Sequence, residues 1–258
     1  MSATDRHRGG GVSIDDLMDR ASEALVRCDY FEAESLAGEG LRRAHSARDH
    51  ERMARIALPL LESRRQKMQL AQDAGRVRTL DEMAARVGVC EPGLYLAQPP
   101  LVAADARQAR LNADRRRIPV VILTREPMSR AGERSGLWPI VAVGVSMSGK
   151  DLSVRAYVAP PAGVRPSDRG ITRDEMRSEP GMEWYLSACE SLGDAAIAKL
   201  NPADPAAHRV DDLIEFIDAW PTHEKLHQQL IDECRAAMSQ PPPTFERRRG
   251  VSENPWSF

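Results

Sequence analysis

Residues 223–227 read His-Glu-Lys-Leu-His, a match to the H-E-x-x-H pattern in which two histidines one helical turn apart bind zinc and the glutamate acts as base. Such a site would make the chain a zinc-dependent hydrolase working through His223, Glu224 and His227. A catalytic zinc also needs a third protein ligand and an open position; the nearby acidic candidates are Glu233 and Glu246. The local sequence argues against this reading. Pro221 and Thr222 are residues that start helices, which places the motif in a fraying first turn, and Lys225 lies inside it. The expectation is therefore a solvated helix start with two ordinary histidines.

Two further segments imitate functional signatures. Gly144, Gly149 and Lys150 stand at the spacing of a phosphate-binding loop behind an apolar run. Asp151, however, occupies the position where Ser or Thr would ligate magnesium, and residues 152–158 alternate like a strand where a helix N-terminus should meet the phosphates. A β-hairpin turn over 146–151 explains the segment without a nucleotide. Residues 79–98 are similar to a helix-turn-helix in their capping pattern and in the Ala84-x-x-x-Gly88-Val89 turn, which would imply a DNA-binding regulator. The stretch 90–98 has no arginine or lysine with which a recognition helix could hold phosphates or base edges. The expectation is a short capped helix leading into a strand.

Composition sets the outer bounds. The chain has 258 residues, 42% of them apolar, enough for a substantial core. Its 36 basic and 38 acidic side chains give a net charge of −2, so no bulk attraction draws it to nucleic acid or to an anionic membrane. Lysine occurs only at positions 67, 150, 199 and 225, and the other basic residues are arginines. Arg107, Arg110, Arg115, Arg116, Arg117 and Arg125 gather around the strand-helix-strand unit and could form an anion-binding face, but as a solvated helix surface they need no ligand. Cys28, Cys90, Cys189 and Cys234 are widely separated, there is no signal-peptide pattern, and no apolar run reaches membrane-spanning length. A reducing cytoplasm is the expected compartment.

These residues must be positioned by a mixed set of elements. A polar leader over 1–12 is expected to be disordered. Ser13 with Asp16 caps a first helix, Ala33 to Ala44 carry a second amphipathic period after the Asp29-Tyr30 corner, and a third runs from about Asp49 to Ala74, kinked by Pro59. From Leu94 the pattern becomes strand, helix, strand, with 94–97 and the β-branched run 118–124 flanking a helix over 103–116. Strands at 138–145 and 152–158 follow, then helical periods over 172–200 and 211–238, the latter interrupted by Pro221. Residues 241–258 read as a flexible tail.

The corner Asp29-Tyr30-Phe31-Glu32-Ala33, followed by Leu36, Ala37 and Leu41, resembles the helix-to-helix turn of a tetratricopeptide repeat. The resemblance covers about one degenerate repeat, residues 14–47, and departs from the family at Leu17 and Arg20-Ala21, where a large aromatic and Leu-Gly would stand. It implies antiparallel helices that present a groove to a protein partner. The fold expected is α+β: a tetratricopeptide-repeat-like helical unit over 13–90, then an α/β domain over 91–240 built on a small four-stranded mixed sheet covered by C-terminal helices. The function expected is that of a non-enzymatic interaction or scaffold protein. No catalytic residue, metal ligand or cofactor is assigned from the sequence, and the partner expected is another protein rather than nucleic acid or membrane.

Overall fold

The computed structural model describes residues 12–89, 91–127, 136–146, 149, 151–164 and 180–241. Nearly all of the expected leader and tail lies outside the described residues.

Helix α1 (Ile14–Val26) starts at a closed capping box, in which Asp16 N–H donates to Ser13 Oγ at 3.0 Å and Ser13 N–H donates to Asp16 Oδ2 at 3.1 Å. Helices α2 (Tyr30–Ser46) and α3 (His50–Gln72) are capped by Asp29 and Asp49, whose carboxylates accept from the N–H groups of Glu32 and Arg52. The short connections 27–29 and 47–49 turn each helix back along its predecessor, with Cys28 and Arg48 at positive φ. Arg52 then reaches Asp15 at 2.8 Å and ties the start of α3 to the start of α1. The helix α3 continues through Pro59 as a single element.

The sheet has five strands in the order β1 (Val77–Leu80), β2 (Gly93–Ala97), β3 (Val120–Arg125), β4 (Trp138–Val145) and β5 (Asp151–Val158). The first three are parallel and the last two antiparallel. The expected sheet of four strands is thus corrected to five by β1. That edge strand has only four residues, and its buried ends, Val77 and Leu80, sit three apart, a spacing that also suits a helix. Crossovers through α4 (Glu82–Val87) and α5 (Ala103–Arg115) connect the parallel strands.

Along the buried strands, alternate residues face opposite layers. Tyr95, Ala97, Val120 and Ile122 pack with α4 and α5, whereas Leu94, Leu96, Val121 and Leu123 face a larger core. That larger core also takes in Leu41, Ile56 and Leu60 from the N-terminal helices and the buried faces of α6 (Met182–Ile197), α7 (Ala206–Ala219) and α8 (Glu224–Ser239). The N-terminal helices and the sheet therefore share one core. Helix α8 packs along α3, on a flank that α2 leaves open. The helix expected from Asp211 begins at Ala206, directly after Pro205, and Pro221 lies in the break before α8.

At the centre of the large core, the buried Tyr185 hydroxyl accepts from Leu123 N–H at 3.1 Å and lies 2.9 Å and 3.0 Å from the carbonyl oxygens of Val121 and Tyr95. With one proton to donate, it serves one carbonyl at a time. Helix α6 is thereby bonded into the backbone between β2 and β3.

Candidate functional site

The two histidines of the 223–227 motif do not converge. Both rings are buried against α3 and α6, so the expected solvated helix start holds for Glu224 and Lys225, which are exposed, but not for the histidines. His227 turns toward α3, where its Nδ1 donates to the His223 carbonyl at 3.0 Å and its Nε2 accepts from Arg64 Nη1 at 3.0 Å. These partners fix the tautomer, because a carbonyl can only accept and a guanidinium can only donate. Burial, reinforced by the Arg64 charge, pushes the His227 pKa down to about 3. The Nε2 lone pair already holds Arg64 and is not free for zinc. Of the other two residues named with the motif, Glu233 is 2.7 Å from Arg209, and Glu246 lies outside the described residues.

His223 turns the other way, onto α6. Its ring sits in the notch left by Gly193, where an added Cβ would lie 2.0 Å from His223 Cγ. Its Nε2 is 3.3 Å from Glu190 Oε2 and 3.4 Å from Asp194 Oδ1, yet neither contact has the alignment of a hydrogen bond, and Nδ1 has no partner. Burial holds the His223 pKa below the usual range against the pull of those carboxylates. Lys225 reaches the same pair, at 2.9 Å from Asp194 and 3.5 Å from Glu190. Glu190 and Asp194 carried no local signal beyond their one-turn spacing, and only the fold brings residue 223 to them.

The densest charge network joins the N-terminal helices to α5. Glu34 accepts from Arg64 Nε at 2.7 Å and from Lys67 Nζ at 2.6 Å, and Lys67 also reaches Asp114 at 2.5 Å while sitting over the Phe31 ring. Burial alone would raise the Glu34 pKa, but the two cations outweigh it and hold the group at about 2. Each charge here answers another charge of the same chain. The cleft beside them, lined by Met68, Arg110, Val121 and Pro221 among others, is narrow, with a cavity of about 20 Å³.

The six arginines do not form a common anion-binding face. Arg107 pairs with Asp218, Arg110 with Asp114 and the Asp218 carbonyl, and Arg117 with Asp29. Arg115 bonds Asn112, Arg116 bonds the Val89 carbonyl, and Arg125 is buried with its guanidinium 3.5 Å above the Trp138 ring.

The phosphate-loop imitation is a hairpin, as expected from its alternation: β4 and β5 pair antiparallel from Val145↔Asp151 onward, and Lys150 lies outside the described residues. Gly144 has a packing role, since a Cβ there would stand 2.8 Å from the Ala219 backbone nitrogen. In the helix-turn-helix imitation, α4 is a short crossover capped by Asp81, and a strand follows where a recognition helix would be required. Cys28, Cys189 and Cys234 are free thiols. No helix among the described residues is long and apolar enough to cross a membrane. No protein-family model, curated protein or solved structure matches the chain.

Proposed function

We propose that this chain is a non-enzymatic interaction or scaffold protein that holds a protein partner on the outer surface of α1–α3, a surface of the tetratricopeptide-repeat type. The observation that carries the reading is how α3 is covered. Helix α2 packs on one flank and α8 on another, while a third stripe, Glu51, Arg55, Leu58, Arg65 and Gln69, stays exposed. Leu58 is 54% exposed there, and Val26 on the adjacent α1 is 85% exposed. Large apolar side chains projecting from a mixed-charge helical surface suit a protein contact, in which apolar anchors are ringed by polar residues. The chain's own sheet and α8 fill the inner face, leaving the outer face for a partner. Free thiols agree with a reducing cytoplasm as the place of action.

The test is affinity capture with the full chain and with a Val26→Asp/Leu58→Asp variant that keeps the wild-type thermal unfolding profile. A protein retained by the wild type and lost by the variant supports the reading. Equal capture by both, or peptidase turnover by the purified chain at enzymic rates, overturns it.

A further inference from the structure

We infer that Glu190, Asp194 and His223 form a binding site for a single zinc ion, clamping the start of α8 onto α6. Glu190 and Asp194 lie one turn apart on α6, so their carboxylates stand side by side. His223 arrives from the residue before α8 and is 2% exposed, its ring held against Gly193. One oxygen from each carboxylate and the imidazole nitrogen all lie within 4.8 Å of one another.

The distances fit a metal better than they fit direct bonding. Nε2 is 3.3 Å from Glu190 Oε2 and 3.4 Å from Asp194 Oδ1, without hydrogen-bond geometry to either. In a tetrahedral zinc shell with bonds of about 2.0–2.1 Å, neighbouring ligand atoms are about 3.3–3.4 Å apart, and each oxygen lies about 35° off the nitrogen-to-metal direction. Close approach without a hydrogen bond follows from that arrangement. A buried imidazole with no hydrogen bond is otherwise destabilising, and a metal on Nε2 would use its lone pair. His227 differs in this respect, since Arg64 already bonds its Nε2.

One imidazole with two carboxylates suits zinc rather than magnesium or calcium, which prefer all-oxygen shells. Both carboxylates are about half exposed, which gives an ion a path in and leaves the fourth position to water. Lys225 is the internal competitor. Its ammonium lies on the same oxygens, but the side chain is 54% exposed and can swing to solvent when a divalent cation takes its place. The site shares only His223 with the H-E-x-x-H string and does not depend on the partner-binding reading.

The experiment is calorimetric titration of chelator-stripped full chain with Zn2+, with Mg2+ in parallel, followed by the absorption spectrum after Co2+ loading. The expected result is one zinc per chain, weakened about tenfold or more by Glu190→Gln and by Asp194→Asn, and tightened several-fold by Lys225→Met. Intense visible bands of tetrahedral cobalt should accompany it, with no matching heat from Mg2+. All three substitutions are at half-exposed positions, so the variants retain the fold. Failure of zinc to bind either the wild type or Lys225→Met, or affinity unchanged in both carboxylate variants, overturns the assignment.

Discussion

His227 should make the stability of this protein fall as pH is lowered, well before its carboxylates protonate. In the folded chain its pKa is about 3, because the ring is buried and Arg64 donates to Nε2. In the unfolded chain a histidine titrates near about 6.5. Between those values the unfolded state binds a proton that the folded state refuses, so the stabilisation is present above about pH 6.5 and is lost as pH falls toward 3. Moving from pH 7 to pH 5 should cost about 2 kcal/mol from this residue alone. Glu34, held at about 2, adds its own loss only at more acidic pH, as pH falls from the ordinary glutamate range near 4.5 toward 2. Burial also lowers the pKa of His50 and of His223, so both act in the same direction as His227. The assay is urea unfolding at pH 7 and pH 5 for the wild type and His227→Gln, whose amide can still accept from Arg64. The variant should show a pH-dependent loss smaller by about 2 kcal/mol. An equal loss in both proteins would refute a buried, neutral His227.

Two other substitutions test the packing account. Tyr185→Phe removes the hydroxyl that accepts from Leu123 N–H inside the core, and equilibrium unfolding should show a loss of about 1–3 kcal/mol. Gly144→Ala places a methyl against the backbone of Ala219, which cannot rotate away. It should lower stability by about 1–3 kcal/mol, and calorimetry should find no ATP binding in either protein.

What could be read from the chain in advance was what short-range chemistry dictates. The Ser13–Asp16 box and the β-branched run of β3 each announce an element within a few residues. The β4–β5 hairpin was legible because the residues after Gly149 alternate with a strand's period. Strand β1 was not, since four residues cannot separate a two-residue period from a helical one, and only its parallel pairing with β2 defines it. The start of α7 was hidden by Pro205, which reads as a breaker although it also precedes helices readily. The burial of the two histidines of the 223–227 string was missed for a related reason. Local spacing places two histidines on one helix, but their partners, Arg64 on α3 and Glu190 and Asp194 on α6, come from distant parts of the chain and pull the two rings apart.

The partner-binding surface is tested most directly by placing a photoreactive benzophenone side chain at Leu58, on the exposed stripe of α3, and in a second protein at Tyr157 on β5, which is similarly exposed. After irradiation of cells expressing each protein, a covalent adduct to one discrete protein should form from position 58 and not from position 157. No adduct at 58, or the same adduct from both positions, would contradict a partner held on the outer face of α1–α3.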